Sequence, residues 1–299
     1  MADRSLPPGE AEVAARLRGI ALICLAVLLF TILDTAAKYA SRHVPALEVA
    51  WARYALNLLF AVVALRPWAF PAAYRTRRPV AQAVRGLFLL LSTVFNFTAL
   101  QHLQLAEAVS ITFAAPLLVT AFAGPILGEW AGPRRWAAIV VGFIGVLIIL
   151  DPDPAHFRLE ALFSVGAAIC YAGYSLMTRL LAGTESPAGM LIYSALISTI
   201  LLTPVVPVVG TLPPDWLVAG ALVVTGLMGA IGHWCLILAH RHAPAMVLAP
   251  FAYTQIVWMV FAGYVVFGDW PGPSTFIGAA IVVASGLYVL YRESIRRRR

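Results

Sequence analysis

Asp34, Lys38 and Arg53 are the residues of this chain whose types and spacing could do chemistry. Asp34 and Lys38 stand four positions apart in an apolar stretch, so on a helix their side chains share one face and can form an ion pair. Arg53 lies well inside the next apolar stretch. Two readings stay open: a structural pair with Lys38 extending towards lipid headgroups, or an outer gate or anchor for a substrate carboxylate or phosphate.

A second group of residues joins aromatic rings to hydrogen-bonding groups inside apolar stretches. Such a combination suits a pocket that binds an apolar or aromatic moiety and anchors a polar head. Hydrogen bonding between helices and interfacial aromatic residues are the other reading. The residues predicted to contact a substrate are Asn96, Tyr171, Tyr174, His233, Trp234, Tyr253 and Gln255.

Enzymatic chemistry is not indicated. The chain lacks both a His-Glu-x-x-His and a Gly-x-Ser-x-Gly motif, and its six histidines are scattered. The cysteines Cys24, Cys170 and Cys235 lack the spacing of a metal or redox site. We therefore expect no catalytic residues, no metal and no cofactor.

The composition places these residues in a membrane. Of the 299 residues, 61% are hydrophobic and only 12% charged, and the mean hydropathy is +0.86. A soluble chain could not keep its surface hydrated with so few charges. The net charge of +7 comes from arginines at loops and ends, which predicts contact with anionic lipid, above all at the C-terminal arginines, and not with nucleic acid.

Ten apolar runs, each long enough for a membrane-spanning helix, predict an all-α polytopic fold. All but four of the 21 basic residues fall on one side if both termini are cytosolic, the exceptions being Lys38, Arg42, Arg53 and Arg158. We therefore expect a multi-pass inner-membrane protein with cytosolic termini. The predicted spans are 18–40, 46–66, 80–101, 105–127, 134–150, 157–181, 188–208, 215–239, 244–267 and 273–291.

An internal repeat divides these spans into two sets of five. The sequence Gly128-Glu129-Trp130-Ala131-Gly132-Pro133 recurs 140 residues later as Gly268-Asp269-Trp270-Pro271-Gly272-Pro273. At nearly the same offset, the position of Lys38 corresponds to that of Arg179. An odd number of spans forces the second copy to enter the membrane inverted. The predicted organisation is a disordered cytosolic tail (1–17), a first repeat (18–150), an inverted second repeat (157–291) and a basic cytosolic tail (292–299).

This doubled unit with its Gly-acid-x-x-x-Pro connections resembles the drug/metabolite transporter superfamily, specifically its ten-helix EamA-type members. Ala115-Pro116 ahead of Gly128-Glu129 is similar to the family pattern, although Ile256 stands where the second half would repeat the proline. The resemblance implies a central cavity surrounded by spans one, three, four, six, eight and nine. It implies export of amino acids and related metabolites by alternating access, or uptake of a larger solute such as riboflavin or S-adenosylmethionine, as the first-span stretch Phe30-x-x-x-Asp34-x-x-x-Lys38 suggests.

The partner expected from these observations is a small-molecule substrate, and the sequence sets neither oligomeric state nor ion coupling. Asp34 is the one serious candidate for a coupling carboxylate at membrane depth, with Glu107 at a helix start. Facilitated transport or exchange is therefore at least as well supported as ion coupling.

Overall fold

The computed structural model describes residues 8–69, 71, 75–150 and 158–297. Within these ranges the chain is helical and contains no strand, which confirms the all-α prediction. Nine helical stretches, counted over the described residues, are long and apolar enough to cross a membrane; two of them join consecutive helices, and α8 is a shorter apolar helix. The helices are α1 (Pro8–Ala40), α2 (Ala46–Leu65), α3 (Pro79–His102), α4 (Leu105–Thr112), α5 (Ala115–Leu127), α6 (Pro133–Leu150), α7 (Ala161–Leu181), α8 (Pro187–Leu202), α9 (Val206–Val209), α10 (Trp216–His242), α11 (Ala245–Ala252), α12 (Gln255–Ala262) and α13 (Pro273–Arg297), with a π-helical turn at Gly263–Phe267.

The fourth and ninth spans are each built from two helices. In the fourth, α4 ends at Thr112 and α5 begins at Ala115, and in the ninth, α11 ends at Ala252 and α12 begins at Gln255. At each break one residue bonds back by a tighter turn, Ala114 to the Ile111 carbonyl and Thr254 to the Phe251 carbonyl. These paired interruptions were not predicted from hydropathy, because the apolar run continues through both.

Three predicted boundaries are corrected by the structure. Residues 8–17, expected to be a disordered tail, form the first turns of α1, and residues 1–7 lie outside the described residues. The seventh span ends at Leu202 instead of 208, because Pro204 cannot continue the helix and the short α9 follows. The last helix continues to Arg297, so the described part of the basic tail is helical.

Packing between the halves positions the site. Helix α1 packs along α10, α3 along α7 and α6 along α13, and each of these contacts joins one half to the other. Helices α6 and α13 approach closely, since a Cβ on Gly278 would lie 2.5 Å from the Gly145 carbonyl oxygen. Small residues permit this approach in a lipid environment, where burial alone does not drive helices together.

The two Gly-acid-x-x-x-Pro motifs form matching turns. Gly128 and Gly268 have φ angles of 73° and 70°, a left-handed conformation that favours glycine. The N–H of the acidic residue that follows bonds back six residues, from Glu129 to the Ala123 carbonyl and from Asp269 to the Gly263 carbonyl. Each glycine also donates its N–H to the carbonyl four residues earlier, which is the αL arrangement that ends a helix, and the motif proline then begins the next one.

Candidate functional site

A small cavity of about 20 Å³ lies among α2, α3, α7, α8 and α10. It is therefore bounded by the second, third, sixth, seventh and eighth spans. The expectation that spans one, four and nine would line it is not met, since no residue of α1, α4, α5, α11 or α12 is among its lining residues. The lining residues are Arg53, Tyr54, Asn57, Leu89, Tyr174, Leu191, Ser194, Ala195 and His233.

Arg53 supplies the positive charge of this cavity. Its side chain is buried, with 8% of the residue exposed, and its Nη1 donates a hydrogen bond to Thr93 Oγ1 at 2.8 Å. The guanidinium lies 5.2 Å from the ring centroid of Tyr54 and 5.6 Å from that of Phe97. Among the described residues it forms no ion pair, and its Nε has no hydrogen-bond partner. A buried cation with a free donor is prepared to bind an anion.

Asn57 lies one helical turn after Arg53 on α2, so both face the same cavity. Asn57 is 4% exposed, and its Oδ1 has no hydrogen-bond partner in the described part of the chain. Sequence reasoning missed it, although a polar residue four positions from Arg53 in an apolar run was a usable signal. The missed lining residues Tyr54 and Ser194 carried no such signal.

Asp34 pairs with Asn96 and not with Lys38. The Asn96 amide donates to Asp34 Oδ1 at 3.2 Å, across the α1–α3 contact. The predicted Asp34–Lys38 pair is therefore wrong, because Asn96 of α3 bonds to Asp34, and Asp269 of the ninth-to-tenth connection pairs with Lys38. Asp34 does not line the cavity, although its charge interacts with that of Arg53.

Lys38 is buried instead of reaching towards headgroups. Its Nζ lies 2.6 Å from Asp269 Oδ2, donates to the Leu103 carbonyl at 2.9 Å, and lies 4.7 Å from the ring centroid of Phe267. Only 3% of Lys38 is exposed. The expectation that Lys38 extends to the membrane surface is wrong, because Asp269 of the ninth-to-tenth connection forms an ion pair with it inside the protein.

Aromatic rings lie beside the charged groups. His233 lies edge-to-face with Phe30, with 5.0 Å between centroids, and its Nδ1 donates to the Gly229 carbonyl at 2.9 Å. The ring centroids of Tyr171 and Tyr174, both on α7, lie 5.8 Å apart. Tyr171 is 38% exposed and does not line the cavity. Of the predicted substrate contacts, His233 and Tyr174 line the cavity, and Tyr171 and Asn96 are close neighbours of lining or charged residues.

The other three predicted contacts lie elsewhere. Trp234 is 42% exposed and absent from the cavity lining. Tyr253 is buried at the break of the ninth span against Phe113, and Gln255 begins α12 beyond it. These positions do not meet the cavity in this conformation.

The arrangement offers charge and hydrogen bonding without a metal centre. Over the described residues no group of three or more His, Cys, Asp and Glu side chains could hold a metal ion. The described cavity lining offers a free cationic donor, a free amide oxygen and several rings. A carboxylate bonded to an amide, that of Asp34, lies outside this lining and interacts electrostatically with the cation. Chemically, these groups can hydrogen-bond a polar group and pack against an apolar one.

Comparison with known proteins agrees with this architecture. The EamA-like transporter family model matches residues 17–151 and 158–291, once in each half. The chain is 30% identical over 292 residues to a riboflavin transporter of Vibrio cholerae, covering 95% of this chain and 96% of that protein. It is 30% identical over 280 residues to an S-adenosylmethionine uptake transporter of Rickettsia prowazekii, covering 93% and 94%.

A more distant relative and one solved structure extend the comparison. A pseudopaline exporter of Pseudomonas aeruginosa is 26% identical over 268 residues, covering 89% of this chain and 94% of that protein. One crystal structure superimposes with a TM-score of 0.64 over 94% of this chain and 98% of the other, at 19% identity, and so shares the fold. With both halves matched and full-length relatives that are transporters, this chain belongs to the EamA-like transporter family and is a multi-pass membrane protein.

Proposed function

We propose that this protein carries metabolites with an amino-acid head group across the inner membrane, and that S-adenosylmethionine is the first solute to test. The observation that carries the proposal is Arg53, a buried cation that lines the cavity with a free Nε and no ion pair among the described residues. A solute carboxylate is the group that would complete it, by a charge-assisted hydrogen bond in a site poor in water.

The remaining groups suit the rest of such a solute. Asp34 lies within electrostatic range of Arg53 and can face a solute ammonium, and the free Asn57 Oδ1 can accept an N–H or O–H. The His233 and Tyr174 rings can pack on an adenine or attract a sulfonium centre. S-adenosylmethionine combines a carboxylate, an ammonium, a sulfonium and an aromatic base, and the similarity to the Rickettsia uptake transporter supports this choice.

Riboflavin is the second candidate because of the Vibrio relative. Its flat ring system suits the paired tyrosines Tyr171 and Tyr174, but it has no carboxylate for Arg53. The free amino acids expected from the sequence have the head group without the large aromatic part. Export, the predicted direction, stays a prediction that uptake and efflux assays on the same vesicles test.

The experiment measures solute affinity by titration of the purified protein, and transport in proteoliposomes. S-adenosylmethionine is compared with its decarboxylated form, which differs only in the carboxylate. We expect the wild-type protein to prefer the carboxylate form at least tenfold and Arg53→Gln to lose that preference. Arg134→Gln, which removes the same charge from an exposed position at the start of α6, is the control and should keep it.

The outcomes separate the alternatives. Retention of the carboxylate preference by Arg53→Gln would overturn the assignment of Arg53. Binding of riboflavin alone would overturn the proposal of a solute with an amino-acid head group and would indicate a flavin transporter. Transport of several free amino acids, with no transport of S-adenosylmethionine, would support the solute class expected from the sequence, which is amino acids and related metabolites.

A further inference from the structure

Two ion pairs join the halves of this protein at positions related by the internal repeat. Lys38 Nζ lies 2.6 Å from Asp269 Oδ2, and Arg179 Nη2 lies 2.7 Å from Glu129 Oε2 and 2.9 Å from Oε1. In each pair the base lies near the end of the first helix of one half. The acid follows the fourth span of the other half.

The match extends to the backbone that presents the acid. Glu129 and Asp269 each follow a left-handed glycine, and each donates its N–H to a carbonyl six residues earlier. The acid side chain therefore leaves its helix end in the same geometry in both halves. Since α1 and the sixth span α7 enter the membrane from opposite sides, their ends place the two pairs at opposite faces.

We propose that these pairs are the two gates of the transport cycle: Lys38–Asp269 closes one face, Glu129–Arg179 closes the other, and each opens when the halves separate on its side. Each pair bridges the two halves, so a rocking motion that opens a face must part the pair on that face. The inference requires only that the protein is a carrier, and not the solute proposed above.

The two ion pairs differ in how deeply they are buried, and this difference indicates which face is closed more firmly in the present conformation. The Lys38 and Asp269 side chains are 4% and 25% exposed, and the pair is reinforced by the Leu103 carbonyl and the Phe267 ring. The Arg179 and Glu129 side chains are 35% and 49% exposed. An exposed pair is weak and separates readily, whereas parting a buried one leaves a charge without a partner. This conformation is therefore sealed more firmly at the Lys38 face.

The test reads access to the cavity without using any solute. Ala195, a small cavity-lining residue, is replaced by Cys in a protein whose Cys24, Cys170 and Cys235 are Ala, and the rate of reaction with a membrane-impermeant thiol reagent is measured in right-side-out and inverted vesicles. Separate Gly183→Cys and Gly272→Cys reference proteins identify the Arg179 face and the Lys38 face directly.

Removing one gate should bias access towards its face. We expect Glu129→Gln to raise labelling from the Arg179 face several-fold and to lower it from the other, and Asp269→Asn to do the reverse. The conservative Asp269→Glu keeps the charge and should stay near wild type, which separates gating from misfolding. Exchanging the charges within a pair, as in Glu129→Arg with Arg179→Glu, should restore the wild-type ratio.

Two results would overturn the proposal. The first is that both single variants change labelling from both faces in the same direction, as a general loosening would. The second is that the exchanged pair at Glu129 and Arg179 leaves labelling as altered as the single variant does.

Discussion

The ring of Phe113 meets the ring of Tyr253 edge to face, with 4.9 Å between centroids and 71° between planes. Each residue stands at the break of its span, Phe113 between α4 and α5 and Tyr253 between α11 and α12. The two positions are 140 residues apart, which is the offset of the repeat. The two broken spans therefore touch at equivalent points, close to the axis that relates the halves, where a hinge can serve both.

Adding a methyl group beside Tyr253 should disturb this contact. A Cβ on Gly286 of α13 would overlap Tyr253 Oη and lie 3.1 Å from Cζ, so the ring must move. We expect Gly286→Ala to destabilise the protein by about 1–3 kcal/mol, as overpacking does. A lowered midpoint of thermal unfolding in detergent measures this effect.

The tyrosine hydroxyl provides the control. Tyr253 Oη is buried without a hydrogen-bond partner among the described residues, so Tyr253→Phe alone should keep or raise the midpoint. The double variant Tyr253→Phe with Gly286→Ala should lose less stability than Gly286→Ala, because the nearest atom is gone. Strictly additive effects would contradict this account.

The sequence predicted the architecture because lipid imposes a simple constraint. Each span must be an apolar run of sufficient length, and repeated glycine, acid and proline mark where runs end. The same rule could not show the breaks after Thr112 and Ala252, since each of these spans is apolar enough over its whole length to be one membrane crossing.

The partners of charged residues were harder to predict. Four-residue spacing allows Asp34 to meet Lys38, but Lys38 pairs with Asp269, 231 residues away, and Asp34 with Asn96. These choices depend on how the halves pack, which local spacing does not encode. Arg53 was identified from its depth alone, whereas its free Nε becomes evident only from its neighbours.

Asp34→Asn should change the recognition of a solute amine. If Asp34 faces the solute ammonium beside Asn96, its neutral form should lower affinity for an amine-bearing solute at least tenfold. Affinity for the matched solute without the amine should stay within about twofold. Titration of both solutes checks this.

Thr35→Val is a matched control for this change. The Thr35 hydroxyl donates to the Thr31 carbonyl of its own helix at 2.7 Å, so its loss leaves Asp34 and Asn96 in place. Equal loss of affinity for both solutes in Asp34→Asn would mean that the variant damages the cavity instead of one contact.

Glu185 links two loops on the face that carries Arg179. Its carboxylate accepts hydrogen bonds from the Arg77 N–H at 3.0 Å and from Gln82 Nε2 at 3.3 Å. Burial raises the pKa of Glu185, but these bonds and one from Thr76 outweigh it and hold the pKa below its ordinary 4.5. A carboxyl group with a lowered pKa stabilises the folded state at pH values above its ordinary pKa. This stabilisation is lost as the pH falls through the lowered pKa.

Glu185→Gln should therefore lower the free energy of unfolding by roughly 1–2 kcal/mol at pH 7. The difference from wild type should shrink as the pH falls below 4.5, the ordinary value. Thermal unfolding over a pH series measures both effects. Glu160→Gln, at a helix start without a side-chain capping bond, should show neither. A gap that persists at low pH would rule out the carboxylate as its cause.

The two motif glycines should respond alike to substitution. Nothing lies within 4 Å of a Cβ at Gly128 or Gly268, so an alanine meets no steric clash there. Its cost comes from the left-handed backbone alone, at φ of 73° and 70°, and should be about 1 kcal/mol at each site. Gly132→Ala has equal space without a positive φ and should leave the unfolding midpoint unchanged.

The same glycines also set the direction of the acid that follows, so the substitutions should affect more than stability. Relaxing Gly128→Ala towards a right-handed φ would turn Glu129 away from Arg179, and Gly268→Ala would turn Asp269 away from Lys38. We expect each alanine variant to shift access to the cavity towards the face of its own ion pair, to a smaller extent than Glu129→Gln or Asp269→Asn. If both variants lose stability while access stays at the wild-type ratio, the glycines only end helices, and the acid finds its partner without them.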